Sequence, residues 1–484
     1  MSAEVHNQLK KNVLSTTDVI SQALAFLGPV MSMAFLTGPI AAAAGPAVPL
    51  AVLIGGVVMV ALGYVVAQFA TRVHAAGAIY NYAAKAFGPE TGFMGGWVYL
   101  FATLMLTIAI IAGVGGWITE YLGMAFGLAL PSWAWLIFVA AECVVLYLLS
   151  YFDVRISTKT QLVLVLGSVA IVVLLAGYVI IKGGAAGHSA APFSLAAAGG
   201  LGGLSQGLIF ALLMYTGFES AAVLAEETAD PKKSMRIAIV GTVIAAVVLY
   251  VFVTYAYSIG FGVDKSSAWA DPNVPALLSI AGMYGGDWLV TVVFLAAIVD
   301  GFAVAMGCLT TVSRVMFAIA RDGALPSALS RTHATHKTPH VANGVVLALA
   351  MIAAVVFAFA FPPAEKAPPS YMVEFLYLAG IGGITIEVIY VFVSIAALVW
   401  FRKELGSEYS VFKHLLVPIV AILGAGAALY GSLLPNPDPL MQTMPFVAIG
   451  WIVIGLIYIG YLRMSKPGLV AKIGRDLSEM ESSS

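Results

Sequence analysis

The sequence predicts an all-α integral membrane protein with twelve transmembrane helices, and three observations carry that prediction. The first is composition: 61% of the 484 residues are hydrophobic and 10% charged, where soluble domains carry about 25% charged residues. The second is length. A spanning helix needs about 20 mostly apolar residues, and such stretches occur at 17–44, 46–71, 92–122, 133–152, 158–181, 203–227, 236–262, 287–319, 342–361, 371–400, 415–433 and 445–462. Third, all of the 23 Lys and Arg except Lys182, Lys265 and Lys366 precede the first stretch, follow the last, or lie in alternate connections and the stretch ends that border them. Basic connections stay cytoplasmic, so both termini are expected inside a multi-pass protein of the cell membrane. Barrel strands are excluded, because they alternate in polarity over about 10 residues and these stretches do not.

Composition also removes function classes. Net charge is −1 and the basic residues are committed to topology, so nucleic-acid binding is not expected. Cys143 and Cys308 fall inside spans, which argues against a disulfide or a cysteine metal site. No phosphate-binding loop of the Gly-x-x-x-x-Gly-Lys-Ser/Thr type occurs. The first stretch is long and runs straight into a second, so it reads as a span and not a cleaved leader. Gly203-Leu204-Ser205-Gln206-Gly207 matches a hydrolase elbow, which needs a strand-to-helix turn; here it opens a membrane helix. His333, His336 and His340 lack the spacing of a metal site. No cofactor, no metal and no enzymatic activity are therefore expected.

Outside the spans, Ala76–Pro89 reads as a short amphipathic helix ending at Gly88-Pro89, and Asp271–Tyr284 as a second short helix. Pro362, Pro363, Pro368 and Pro369 stiffen one loop, and Pro435, Pro437 and Pro439 another.

Spans one and six are interrupted. Span one carries Gly28-Pro29 and then Gly38-Pro39; proline lacks a backbone donor and clashes with the preceding turn. Span six carries Tyr215-Thr216-Gly217-Phe218-Glu219-Ser220 at its centre. Opened backbone in a bilayer survives only where it is buried or lines a wet cavity. Two such breaks, five spans apart, point to a transporter with inverted repeats. The plainer alternatives are a proline kink and a packing glycine.

Three stretches resemble the bacterial amino-acid permeases of the amino acid–polyamine–organocation superfamily, over roughly residues 15–465. They are Ala76-Gly77-Ala78-Ile79-Tyr80-Asn81-Tyr82 with Phe87-Gly88-Pro89 and Gly96-Trp97; Gly217-Phe218-Glu219-Ser220 with Ala225-Glu226-Glu227-Thr228-Ala229-Asp230-Pro231; and Ser313-Arg314 through Ala320-Arg321-Asp322-Gly323-Ala324-Leu325-Pro326 to Thr338-Pro339. The resemblance implies a five-plus-five inverted repeat with broken helices one and six, plus two further C-terminal helices. It divides the chain into a tail (1–14), spans one to five (15–182), spans six to ten (200–402), spans eleven and twelve (413–463) and a second tail (464–484), both tails cytoplasmic. It also implies that the unwound backbones, Val30 to Ala34 and Tyr215 to Glu219, hold the α-carboxylate and α-amine of the substrate. Half-helix ends suit both groups, offering free N–H to an anion and free carbonyls to an ammonium.

This chain departs from the family pattern in four places. Ser32-Met33-Ala34 stands where many members have Gly-Ser-Gly. Leu213 stands at the usual aromatic gate, with Phe210 or Tyr215 as possible substitutes. Ser168 replaces a span-five lysine found in some proton-coupled members, and Met235 replaces a proline. The candidate substrate contacts are Gly28, Val30, Met31, Ser32, Met33, Ala34, Thr107, Phe210, Tyr215, Thr216, Gly217, Phe218 and Cys308.

Ionisable residues in the spans each need a reason, since a charge at mid-bilayer costs at least about 2.5–3.5 kcal/mol. Asp300 shares a helical stripe with Val304, Gly307, Thr311 and Arg314, which reads as a pathway lining. Asp300 could carry a proton, counter a cationic substrate group, or accept hydrogen bonds from nearby hydroxyls. Glu219 could cap freed N–H groups or carry a proton, and Glu387, on one face with Tyr390 and Ser394, could relay protons. Glu142 is expected to make an interhelical hydrogen bond. Thr103 and Thr107 either face the cavity or bond their own helix. Glu226, Glu227 and Asp230 could pair with Arg314 or Arg321 as an inner gate; the alternative is a solvated surface cluster. Glu219, Asp300, Glu387, Glu227 and Arg314 are thus the candidates for coupling or gating.

The expected function is secondary transport of an amino acid across the cytoplasmic (inner) membrane by alternating access, spans one, two, six and seven rocking against the rest. The partners are a small-molecule substrate, a coupling ion and the bilayer. Protons are the first choice of ion because intramembrane carboxylates are available; Gly307-Cys308 offers no hydroxyl pair for sodium, though Thr310 and Thr311 lie near. Alternatives are a polyamine or small-amine transporter, an amino-acid exchanger, a membrane-embedded enzyme, or a nutrient sensor on a transporter scaffold.

Overall fold

The computed structural model describes residues 9–152, 154–270, 275–361, 368–434 and 438–474. Asp271-Pro272, Pro362, Pro363, Lys366, Pro435, Pro437, Arg475 and the rest of the C-terminal tail lie outside these residues. Among the described residues every regular element is helical, and a β-bridge joins Leu14 to Thr228. Among the described residues twelve helices are long and apolar enough to cross a membrane.

Span one is three helices in line: Thr16–Leu27, Pro29–Phe35 and Thr37–Ala44. Ser15 starts the first with a capping box, its hydroxyl and the Asp18 carboxylate satisfying each other's backbone N–H. Gly28 ends it at φ 56°, ψ 67°, a left-handed conformation that costs glycine nothing. Pro29 then opens the next helix at a position where a missing N–H is harmless. A 3₁₀ turn, Gly45–Ala47, leads into span two, Val48–Ala70.

Span six breaks at the expected place. Its first half, Leu201–Leu213, stops before Gly217, which has φ 118°, and the second half, Phe218–Glu227, is wound as a 3₁₀ helix. Ten residues is long for that geometry, whose runs seldom exceed about 4. The two breaks touch: a Cβ on Gly217 would lie 2.7 Å from Leu27 N and from the Phe26 carbonyl carbon. Only a residue without a side chain lets the backbones approach this closely.

Around the breaks stand span three (Pro89–Phe126), span four (Trp135–Phe152), span five (Ser157–Ile181), span seven (Pro231–Phe261), span eight (Asp287–Arg321), span nine (His340–Ala360) and span ten (Ser370–Glu404). Spans eleven (Phe412–Ser432) and twelve (Met441–Ser465) pack on spans two, three and ten. Short helices Ile79–Phe87 and Ala276–Gly285 lie between spans, and the second begins only after Pro275.

Both ends of the described chain lie on one face, called here the terminal face. On the N-terminal side, the N–H groups of Val13 and Leu14 donate to the Glu227 carbonyl (2.8 and 2.9 Å), and Ala229 N–H donates to the Leu14 carbonyl (3.0 Å). On the C-terminal side, Val470 and Ile473 are buried. Gly474 N–H donates to the Asp322 carboxylate (2.8 Å), and Asn81 Nδ2 donates to the Gly474 carbonyl (3.1 Å).

Candidate functional site

Where the two breaks meet, the helices line a small chamber of about 60 Å³. Span one contributes Phe26, Leu27, Gly28, Met31, Ser32, Phe35 and Leu36. Leu106 and Ile110 come from span three, Leu213 and Thr216 from span six, Val304 and Cys308 from span eight, and Phe375 and Ala379 from span ten. The walls are apolar apart from Ser32, Thr216, Cys308 and main-chain groups. Ser32 Oγ donates to the Leu27 carbonyl (2.9 Å), so it satisfies part of the backbone freed by the break. Thr216 Oγ1 is buried beside the Tyr390 hydroxyl.

On the side away from the termini, rings close the chamber. Phe35 stacks on Trp117 (centroids 4.3 Å apart) and tilts against Phe375 (4.5 Å), while Trp117 meets Phe294 edge-on. Beyond them Tyr371 donates its hydroxyl to Glu120.

Carboxylates occupy the free N–H groups at both breaks. Asp300 Oδ2 accepts from Val30 N–H and Met31 N–H, both at 2.9 Å, and Oδ1 accepts from Ser168 Oγ at 3.0 Å. Ser32 N–H bonds the Gly28 carbonyl (2.8 Å). The N–H groups expected to face a substrate carboxylate therefore carry one that belongs to the chain. The physical reason is that buried N–H groups must be paired, and span eight delivers an acceptor to them. At span six, Glu219 Oε2 accepts from Gly217 N–H (3.0 Å). The Tyr390 hydroxyl lies beside Glu219 and Thr216, and the Tyr99 hydroxyl is buried without a hydrogen-bond partner among the described residues.

Gly28, Met31, Ser32, Thr216 and Cys308 line the chamber; the other substrate-contact candidates do not. Val30, Met33 and Ala34 are buried against neighbouring helices. Thr107 Oγ1 donates to the Thr103 carbonyl (2.6 Å), as Thr103 does to Tyr99 (2.8 Å); both bond their own helix. Phe210 packs on the core. Tyr215 Oη donates to the Val52 carbonyl (2.9 Å), which ties it to span two. Gly217 and Phe218 sit at the turn itself, Phe218 stacked on Tyr390 at 6.3 Å. Leu213 lines the chamber.

Several expectations are corrected. The Asp300 stripe is partly covered: Gln22 Nε2 donates to the Gly307 carbonyl (2.8 Å) and to Thr311 Oγ1 (3.2 Å), while Val304 lines the chamber. Of its alternative roles, Asp300 shows the structural one: its contacts are donors from the protein. Glu142 makes no interhelical hydrogen bond among the described residues, and both oxygens of Glu387 are likewise unpartnered there.

The acid cluster at the end of span six is not a solvated patch. Arg314 Nε donates to Glu227 Oε1 at 2.7 Å with both side chains about 95% buried. Arg321 grips Glu226 through two nitrogens (2.9 and 3.1 Å), and Glu226 also accepts from Ala76 N–H (2.9 Å). Asp230 instead caps the helix Pro231–Arg236 through Lys233 N–H. The two buried pairs tie span six to span eight between the chamber and the terminal face. Among the described residues no group of three or more His, Cys, Asp or Glu is arranged to hold a metal.

Phe35, Leu106, Ile110, Phe375, Tyr99 and Tyr390 were not singled out as contacts by sequence reasoning. As apolar or aromatic residues in apolar helices, the first four carry no distinguishing signal. Tyr390 was visible only through its spacing from Glu387.

Residues 13–457 match the family model described as amino acid permease. The chain is 26% identical to the branched-chain amino acid permease BcaP of Bacillus subtilis, over 64% of this chain and 67% of that protein. It is 25% identical to the methylthioribose transporter of the same organism, over 94% of each chain. It is also 25% identical to the low-affinity putrescine importer PlaP of Escherichia coli K12, again over 94% of each. With the family model spanning nearly the whole chain, and with twelve apolar helices around a chamber at two helix breaks, the protein belongs to the amino acid permease family.

Proposed function

We propose that the protein is a secondary active transporter that carries an amino acid across the cytoplasmic membrane by alternating access, coupled to protons. The observation that carries this reading is the chamber at the contact between two broken helices. Aromatic rings bar it on one side and buried ion pairs on the other. A site closed on both sides is what alternating access requires of an occluded state. The C-terminal ends of the first halves of spans one and six present main-chain carbonyls, which suit an ammonium. Alternate basic connections put both termini in the cytoplasm, so the terminal face is the inner face. The breaks at Gly28 and Gly217 support inverted repeats over 15–182 and 200–402, one moving against the other.

Asp300, Glu219 and Glu387 are the candidates for proton coupling. Each is a buried carboxyl with no cation partner among the described residues, so gaining or losing a proton would change the charge inside the bundle. A second reading, transport of an amine without a carboxylate, is favoured by one observation: Asp300 already occupies the Val30 and Met31 N–H groups.

Proteoliposome uptake of an amino-acid and amine panel, with pH and sodium gradients imposed separately, tests both readings. Concentrative uptake of an amino acid driven by the pH gradient is expected. Uptake that ignores both gradients but is accelerated by substrate inside would replace symport with exchange. Absence of any flux would end the transporter reading.

A further inference from the structure

If the chamber opens towards the terminal face, the buried pair of Arg314 and Glu227 must part on every cycle. A buried guanidinium that loses its partner and finds no other acceptor is strongly destabilised. A second set of acceptors within reach would remove that obstacle. Among the described residues Arg314 uses Nε on Glu227 (2.7 Å) and Nη1 on the Thr310 carbonyl of its own helix (3.3 Å), and Nη2 has no acceptor.

Acceptors do lie beside it. Arg314 lines a cavity of about 10 Å³ between spans four, five, eight and nine, room for about one water-sized group. Its other polar walls are Ser150, Ser157, Thr310, Thr338 and Asn343. Ser150 Oγ donates to the Tyr147 carbonyl (3.1 Å) and Thr338 Oγ1 to the Tyr151 carbonyl (2.7 Å). Each therefore has only lone pairs left for a partner in the cavity. Asn343 is 2% exposed, and its Oδ1 has no hydrogen-bond partner among the described residues. Buried polar atoms are rarely left so. No acidic side chain lines the cavity. Lone pairs turned inward repel an anion, and the Arg314 charge keeps out a free cation. What fits is a donor already attached to the chain, held less firmly than by a carboxylate.

We infer that this cavity is a second berth for the Arg314 guanidinium, occupied when the chamber opens to the terminal face. Glu227 holds the guanidinium in the closed state. Asn343, with the hydroxyls of Ser150, Ser157 and Thr338, holds it in the open one. The arginine changes acceptors without a stage in which its charge is buried alone. Asn343 is a positioning residue, acting through Arg314. This inference rests on the transporter reading and adds to it the resting place of the gate arginine.

The test is the rate at which a membrane-impermeant maleimide labels Cys308 in the full-length Cys143→Ser chain, in sealed vesicles that expose the terminal face. Uptake of the amino-acid and amine panel is measured in the same background. Asn343→Leu removes the acceptor and fills the cavity, so labelling should slow by about tenfold or more, the worth of one hydrogen bond to a charged group. Asn343→Asp puts a carboxylate into the berth, and labelling should speed up. A residue that only packs would give shifts of one sign. With Arg314→Met and Glu227→Leu no guanidinium is left to move, and neither Asn343 variant should change the rate. Should Asn343→Leu fail to fold, Ser157→Ala takes its place; should Asn343→Asp fail, Ser157→Asp does. Shifts of one sign, no shifts, or shifts that persist without Arg314 overturn the berth and leave the transporter reading intact. A Cys308 never labelled from this face overturns the berth as well. If that chain also moves no probe of the panel, the transporter reading falls with it.

Discussion

Asp300 accepts three hydrogen bonds, two from main-chain N–H groups that have no other acceptor. Asp300→Leu removes the acceptor and orphans both, and each unsatisfied buried donor costs about 1–3 kcal/mol. A drop of the unfolding midpoint in detergent is the expected outcome. Asp300→Asn keeps an acceptor oxygen and should fold, but it cannot change charge. If Asp300 carries the coupled proton, this variant retains substrate exchange and loses concentrative uptake driven by a pH gradient. The ion pair of Arg314 and Glu227 gives a second prediction at this scale. Glu227→Gln leaves a guanidinium buried without a counter-charge, a change worth about 3–5 kcal/mol. The gate should also loosen, so Cys308, fully buried on the chamber wall, should react faster with a thiol reagent added at the terminal face in a Cys143→Ser background. Replacing the pair together, Arg314→Met with Glu227→Leu, should recover stability without restoring the closed gate. These charged residues were legible in the sequence because charge in an apolar helix demands a partner. Their burial was not, since a helix end gives no sign of what covers it. Leu106, Ile110 and Phe375 were silent for the opposite reason: a wall carbon and a lipid-facing carbon look the same in one dimension.

Both breaks were readable as elements because Gly-Pro and a polar glycine-containing run cannot continue a membrane helix. What could not be read is how the broken backbone is satisfied. That depends on Asp300, 270 residues from Val30 in sequence, and on the 3₁₀ winding of Phe218–Glu227, which no local propensity announces. The two glycines at the breaks should also differ in tolerance. Each has positive φ, 56° at Gly28 and 118° at Gly217, where a side chain costs about 1–3 kcal/mol of strain. At Gly217 an added Cβ would additionally meet main-chain atoms of Phe26 and Leu27 at 2.7 Å, and main chain cannot turn aside. At Gly28 it would meet the side chain of Val304. Gly217→Ala should therefore lower the thermal midpoint more than Gly28→Ala, and Val304→Ala should partly rescue the second but leave the first unchanged. Equal losses at the two sites, or no rescue, would show that the breaks do not touch in this way.

At the scale of the whole molecule, helix number and the placing of spans followed from hydropathy with ends shifted by a few residues. The terminal face was hidden, because it is assembled from segments that are individually unremarkable. Span six is held to span eight by Glu226 and Arg321; the next residue, Asp322, accepts from Tyr80 Oη and from Gly474 N–H. The C-terminal segment is thereby joined to the ion pairs between the chamber and the terminal face through one pair of adjacent residues. Burial pushes the Asp322 carboxyl above its ordinary value of 3.8, against the opposing pull of the Tyr80 and Gly474 hydrogen bonds and of Arg321. A folded-state value above the unfolded one means that the folded chain binds this proton more tightly than the unfolded one. The contribution of this group to stability is thus fully present below pH 3.8 and is lost as pH rises through the folded value. Asp322→Asn, which keeps an acceptor for Gly474 but has no proton to lose, should flatten the fall of the unfolding midpoint in detergent between pH 4.5 and pH 7. A variant that keeps the wild-type slope would mean that another group governs it.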